Sequence, residues 1–334
     1  MSERLTNILG YLTLIVIMAA IWALFGEDPS KQQGGRGEPL FTGLEDTINT
    51  ASIITLTQGD QTIHIRKSDA GWSVDDRQDY SANAGLIRGL LRGLVIAKRE
   101  EPKTTNIKRM AKLELDSAAW QLSIKSDPET ELVSVKLGKH RTWQGDATLT
   151  YVLKDGDTRA WEVSGLIKTP KDIQGWLAKD VLNIDSSRVK SISLNDGTVF
   201  KRSVDSDVFT VPDLKVTETF DRDWSISGDV NSLAHMQLLD VTKMTNPMVK
   251  ASHKVTLVTH DGLSIVISTY QINAVAHAKV TAESIEGASE DVASEAATIA
   301  KSVEGWMFKL PENDAKILSN SRAAYVDTKK TEEK

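Results

Sequence analysis

An α+β fold is what the 334-residue sequence predicts: two tandem related modules of antiparallel sheet with packed helices, preceded by a single N-terminal transmembrane helix. Three observations predict it. Leu5 to Phe25 holds no charged side chain, short alternating apolar segments follow from about Thr47, and at Val189 the order of segments begins again.

At 1.5 Å rise per residue, about 21 residues of helix match the roughly 30 Å hydrocarbon core of a bilayer. Residues 1–26 are therefore assigned to a membrane anchor, with the span at 5–25. The alternative is a cleaved signal peptide, which needs a basic n-region, a shorter apolar run and a small-x-small cleavage site. Here Glu3 offsets Arg4, the apolar run is too long, and Ala19, Ala20 and Ala23 lie inside it with Trp22 and Phe25 still to come. Those two aromatics suit the far interface. The flanking charges, Arg4 against Lys31 and Arg36, do not decide orientation. Signal-anchors in front of a large soluble part usually export it, so the expected topology is single-pass in a bacterial inner membrane. The N-terminus is then cytoplasmic and the bulk of the chain periplasmic.

The chain has no cysteine, which excludes disulfides, thiolate zinc sites and thiol nucleophiles together. With 40 basic and 46 acidic residues its net charge is −6, not the balance of a nucleic-acid binder. One stretch is locally basic: Arg88, Arg92, Lys98, Arg99, Lys103, Lys108, Arg109 and Lys112. Glu100 and Glu101 interrupt it, so a solvated face is weighed there against a contact with anionic lipid or an acidic partner.

Glu27 to Thr42 is rich in Gly, Gln, Pro and charge, and residues 27–46 are assigned to a flexible tether. The first module is placed at 47–186. Ile53 to Thr57, Thr62 to Lys67 and Trp72-Ser73-Val74, separated by turns at Gln58-Gly59-Asp60 and Ser68 to Gly71, predict an antiparallel meander. Ser81 then caps a helix whose Leu86, Ile87, Leu90, Leu91, Leu94 and Val95 form one apolar stripe. Gly85, Gly89 and Gly93 line one flank of it, for tight packing on its own sheet or a docking groove. A second sheet-like stretch is expected from Trp120 to Lys125, Glu131 to Leu137, Thr148 to Lys154 and Arg159 to Val163. A closing helix is expected at Pro170 to Leu182, burying Trp176 and Leu177.

The second module, 187–327, repeats this order. Ser191 to Leu194, Thr198 to Arg202 and Val208 to Val211 reproduce the meander, and Trp224-Ser225-Ile226-Ser227 leads into a helix with Val230, Leu233, Ala234, Leu238 and Val241 on one face. His253 to Thr259, Leu263 to Tyr270, Ala274 to Ala282 and Trp306 to Leu310 repeat the second set of strands, and Pro311 to Asn320 the closing helix. An Ala-, Ser- and Glu-rich insertion at Ile285 to Ser302 reads as a surface helix, and 328–334 as a charged disordered tail.

The N-terminal span, the meander ending Gly71-Trp72-Ser73-Val74, the Tyr80-Ser81-Ala82-Asn83 lead-in to a helix and the Trp176-Leu177 pair together resemble the bacterial domain-of-unknown-function family numbered 4340, from Ile53 onward. Ser81 and Asn83 depart from the Pro and Asp common there. The resemblance implies a membrane-anchored envelope protein, an accessory component associated with ABC-type transport systems of the gliding-motility kind.

Chemistry-bearing sets are absent from the sequence. His64, His235, His260 and His277 form no HxH, HxxxH or HExxH pattern. Asp75, Asp76 and Asp79, and Asp221 with Asp223, precede the two helices, where capping and the helix dipole account for acids; calcium is the alternative. There is no GxSxG, Walker-type or GxGxxG loop; for the eight tryptophans core or loop packing is weighed against glycan stacking, especially at Trp143 in its polar loop. Accordingly no catalytic, cofactor-binding or metal residue is assigned. The expected partners are the lipid bilayer through residues 5–25 and, by the resemblance, transporter subunits, with no nucleic acid. The expected function is a non-enzymatic scaffold acting by protein–protein contact. A periplasmic lipid- or glycan-binding module is the alternative, and a hydrolase with dispersed carboxylates a further one.

Overall fold

The computed structural model describes residues 35–143, 147–244, 250–272 and 274–329, together with Val16. The expected span at 5–25, the tether residues 27–34 and the tail from 330 lie outside them, and among the described residues no helix is long and apolar enough to cross a membrane. The chain runs through α1 (Leu44–Thr47), β1 (Ile53–Gln58), β2 (Gln61–Ser68), β3 (Gly71–Val74), β4 (Tyr80–Ser81), α2 (Ala84–Ile96), β5 (Lys98–Pro102), α3 (Ile107–Met110), β6 (Trp120–Lys125), β7 (Glu131–Trp143), β8 (Ala147–Lys154) and β9 (Trp161–Ser164). It continues through β10 (Val189–Ser193), β11 (Val199–Lys201), β12 (Glu218–Thr219), α4 (Asp223–Ala234), β13 (Asp240–Lys243), β14 (His253–Thr259), β15 (Leu263–Ile272), β16 (Val275–Ser284), α5 (Glu290–Val303), β17 (Trp306–Lys309), α6 (Glu312–Ser319) and β18 (Asp327–Thr328). Two units result. The first holds the residues up to Gly71 and Ala84–Pro170; the second holds Trp72–Asn83 and everything from Lys171.

In the first unit, strands pair antiparallel in the order β2-β1-β6-β7-β8-β9-β5. Alternate side chains share a face, so Ile54 and Leu56 stand opposite Ile65 and Ile63 on one side and Ile124 and Leu122 on the other, and these in turn oppose Val133 and Val135. All are buried, and Thr55 and His64 take the opposite face. The two strand groups expected as separate sheets are thus one, because β1 pairs with β6 as well as β2.

α2 buries Ile87, Leu90 and Leu94, and its glycine flank packs on its own unit: a Cβ on Gly93 would stand 2.9 Å from the Gly165 carbonyl oxygen. The helix begins at Ala84 rather than behind a Ser81 cap. Residues 35–46, expected in the tether, are folded: Leu40, Phe41 and Leu44 are buried, and Pro39 bridges Lys98 on the outer side of β5. Gly37 N–H donates to Arg99 O at 2.7 Å and Leu40 N–H to Ala97 O at 2.8 Å. A charged edge strand is thereby paired on both sides.

In the second unit the order is β11-β10-β14-β15-β16-β17-β13, with Ile192, Leu257, Ile265, Phe200 and Ile267 buried in register. α5, in the expected insertion, buries Val292, Ala296 and Val303. β18 pairs with β12, so Thr328, expected in the tail, is folded. The helix expected at Pro170 to Leu182 is only a 3-10 turn at Gln174–Trp176. Its backbone is committed elsewhere: Ala178 N–H donates to Ser81 O at 2.9 Å and Asn83 N–H to Trp176 O at 2.7 Å. The same bonds keep Ser81 extended. Trp176 and Leu177 are fully buried, as expected. The boundary expected at 186/187 falls at 170/171, and the first module's Trp72–Asn83 belongs to the second unit.

That segment is fastened by charge and by aromatics. Arg77 donates through Nε to Asp240 Oδ1 at 2.6 Å and through Nη2 to Oδ2 at 2.9 Å, and Gln174 Nε2 adds a bond at 2.9 Å. Burial works to raise the Asp240 pKa, but the Arg77 and Gln174 bonds prevail and hold it below the ordinary value. Tyr80 meets Trp306 and Phe308 edge-on at centroid distances of 5.0 and 6.3 Å, and burial lifts its hydroxyl to about 12.

Losing hydrogen bonds to a charged partner in a half-buried site costs about 2 kcal/mol. Arg77→Ala should therefore lower the unfolding free energy measured in denaturant by that amount and speed amide exchange across residues 72–83; unchanged exchange there would count against the clasp. The glycines make a paired test. Gly93→Ala must push on backbone and should destabilise by about 1–3 kcal/mol, whereas Gly228 in α4 has open space and Gly228→Ala should stabilise by about 1 kcal/mol in the same melts.

Candidate functional site

Helix α4 buries Ile226, Val230, Leu233 and Ala234 at the spacing of one face. Trp224, two residues before Ile226, therefore points away, and 71% of it is exposed. Asp223 in the first turn suits the positive end of the helix dipole, so the helix starts one residue before Trp224 instead of after Ser227 as expected. Phe220, just upstream, packs on Phe200 at 5.4 Å, and Phe200 also meets Tyr325 at 5.2 Å, which fixes where the helix begins.

The loops leading from β11 to α4 expose further apolar residues: Val204, Val208, Leu214 and Val216, the last 89% exposed. A groove of about 360 Å³ lies between α4 and these loops, lined by Ser186, Ser187, Arg202, Asp207, Val208, Asp223, Ser227 and Val230. Exposed Asp205, Asp207, Asp213 and Asp221 outnumber exposed Lys201 and Lys215 in these loops, so the rim is acid-rich. The loops are held, not loose. Arg202 donates to Val189 O at 2.7 Å and to Ser186 O, and lies 4.7 Å over the Phe209 ring. Arg322 bonds Asp213 Oδ1 at 3.0 Å and both oxygens of Glu218, at 3.2 and 2.7 Å. An apolar surface with fixed loops loses little entropy on docking.

The densest polar cluster belongs to the first unit. Glu162 on β9 is buried; its Oε2 takes Lys103 Nζ at 2.8 Å, and Arg141 Nε stands 3.5 Å from Oε1. Lys103 also pairs with Glu101 at 2.8 Å, and both cations lie over the Tyr151 ring, at 5.6 and 5.9 Å. Burial works to lower the Lys103 pKa, and the two carboxylates overcome it to hold the ammonium charged. The cluster sets two cations against two carboxylates that face each other across β5 and β9, with the buried Glu162 Oε1 accepting no hydrogen bond from the described residues. Elsewhere in this unit a groove of about 490 Å³ runs between Phe41 to Thr47 and the β7–β8 strands, with Lys154 5.3 Å over Phe41.

The residues weighed from sequence are scattered. Among the described residues no group of three or more His, Asp or Glu is placed to hold a metal. His64 lies mid-β2, His277 bonds the Val275 carbonyl, and His235 ends α4. Asp75 and Asp76 sit in a 3-10 turn between β3 and β4 and do not cap α2. The Trp143 side chain and loop 144–146 lie outside the described residues. Sequence reasoning missed Trp224 as a surface residue; its signal was the two-residue offset from Ile226, which sets it opposite the buried face of α4.

A protein of two antiparallel α+β units, with an acid-rimmed apolar face on one of them, is what these features define. The chain belongs to the family described as Domain of unknown function (DUF4340), whose profile matches residues 72–251. No curated protein and no solved structure matches it.

The Arg322 guanidinium, helped by the Lys215 N–H, holds the Glu218 carboxyl down at about 2 against an ordinary 4.5. A carboxylate with a depressed folded pKa stabilises fully above its unfolded value and loses that contribution as pH falls towards the folded one. Pepsin nicking between Val211 and Phe220, followed by mass spectrometry, should rise between pH 4.5 and 2, and Glu218→Gln should be nicked already at pH 4.5.

Proposed function

We propose that this chain is a non-enzymatic, membrane-anchored accessory or scaffold protein of an envelope ABC-type transport system, acting by protein–protein contact. In this reading residues 5–25 cross a bacterial inner membrane once, with the N-terminus cytoplasmic and both units periplasmic. The two units are duplicated modules. Their strand orders support the duplication: β2-β1-β6-β7-β8-β9-β5 corresponds member for member to β11-β10-β14-β15-β16-β17-β13, and α2 precedes β5 as α4 precedes β13.

The observation that carries the contact role is the Trp224 face. A tryptophan in the first turn of a helix, with Val204, Val208, Leu214 and Val216 on clamped loops and an acidic rim, has the make-up of an interface centre. It fits a partner surface presenting an apolar side chain within a basic surround.

A photo-crosslinking residue at position 224 in the full chain, expressed in membranes, should form adducts with transporter subunits, while one at exposed Lys301 should not. Trp224→Ala should lower their recovery about 30-fold, the effect of losing one hot-spot side chain. Equal adducts from both positions, or none from 224, would remove the assignment.

A further inference from the structure

We propose that the α3 segment of the first unit is a lipid contact that docks this unit on an anionic bilayer surface. The proposal rests on reading residues 5–25 as a membrane anchor. Ile107 opens α3 with 78% of its surface exposed, and Lys108, Arg109 and Lys112 around it are exposed as well; Glu114 offsets one of these charges. An exposed aliphatic side chain ringed by long cations is the composition that sits at a headgroup boundary, the apolar group entering and the cations meeting phosphates. Arg99 and Lys103 of the same basic stretch are engaged differently, with Asp157 and with Glu101 and Glu162.

The segment is rigidly mounted. Met110 and Leu115 are buried with Tyr151 and Ala160, so the exposed tip cannot fold back into the unit. Asn106 Oδ1 accepts the Lys108 N–H at 2.9 Å and fixes the start of the turn.

Chain length sets where a membrane can be. Gly35 packs against Trp161, the neighbour of Ala160: a Cβ on it would stand 3.3 Å from the indole. The incoming chain and α3 are therefore anchored to consecutive residues at one end of the β5–β9 pair. Only residues 26–34 separate Gly35 from the expected span, and nine residues reach at most about 32 Å when fully extended. An anchor at 5–25 thus keeps this end of the unit near the bilayer surface. There each cation adds about fivefold in affinity for anionic lipid, within a screening length of about 8 Å at physiological salt.

The test uses the full chain, which has no cysteine, carrying one fluorophore at Ala111→Cys beside the tip or at Glu129→Cys in the β6–β7 turn, at the opposite end of the strands from Trp120 and Trp161. The chain is reconstituted into phosphatidylcholine vesicles with or without phosphatidylglycerol, both containing a headgroup spin-labelled quencher. The Ala111 label should be quenched with anionic lipid, lose most of that quenching in 0.5 M salt, and lose it in the Lys108→Glu, Arg109→Glu, Lys112→Glu chain; the Glu129 label should change in none of these. Quenching that is absent at Ala111, equal at both positions, or indifferent to anionic lipid would overturn the proposal. Alkaline extraction from neutral vesicles checks the anchor separately. If the chain is extracted, the anchor reading fails, and the same two labels read with added anionic vesicles still decide the α3 contact.

Discussion

The bidentate pair between Arg77 and Asp240 is the interaction on which the arrangement of the second unit turns. Trp72–Asn83 is flanked in sequence by elements of the first unit, yet it belongs to the second. A two-strand excursion of a dozen residues cannot supply a core of its own. Arg77 gives it a fixed point: Asp240 is half-buried, and an unpaired carboxylate there would cost more than an exposed one. Around that point Tyr80 inserts between aromatic neighbours, and Ser81 and Asn83 exchange backbone bonds with Trp176 and Ala178. The chain therefore passes between units at 71/72, 83/84 and 170/171, and the second unit is incomplete until a segment made early in synthesis is in place.

That constraint explains which parts of the sequence were legible. Strands whose side chains alternate between core and solvent, such as β1, β2, β6 and β14 to β16, could be read because each residue carries its own burial signal. α2 could be read from apolar spacing for the same reason, and α6 from its place in the repeated order. Lys98–Pro102 gave no such signal: its strand character comes from β9 on one side and residues 37–40 on the other, contacts that no local pattern encodes. Pro170 to Leu182 gave a false one. Its apolar spacing fits a helix, but the backbone groups that a helix would use internally are spent on Ser81 and Asn83, about 95 residues away. Likewise the tether's polar composition hid Leu40, Phe41 and Leu44, whose burial depends on the sheet they cover.

The candidate surface was harder to read, because exposure of a large side chain is the opposite of what its chemistry predicts. Trp224 belongs with core residues by composition, and only the phase of α4 set by Ile226 and Val230 turns it outward. Arg322 and Arg202 were equally silent in sequence, since their role is to tie down loops through carbonyls and carboxylates that lie far away along the chain.

The two helices that hold corresponding places in the strand order make opposite use of their surfaces. α2 spends its glycine flank on the Gly165–Ile167 backbone, so the close approach that small residues permit is already taken within the unit. α4 keeps open space at Gly228 and presents Trp224, so its outer face is not consumed by packing. Under the proposed duplication, one copy has closed its helix face while the other has left it open. A scaffold needs at least one face of the second kind, because binding energy can come only from surface that folding has not already buried. In the first unit the α3 tip, where Ile107 and its cations remain exposed, is a surface still open to an external contact. The division of labour then follows from burial: the second unit offers an apolar face with an acidic rim, and the first an apolar point with a basic one. Surfaces of opposite charge select different neighbours, which is the condition for holding a protein partner and a membrane at once.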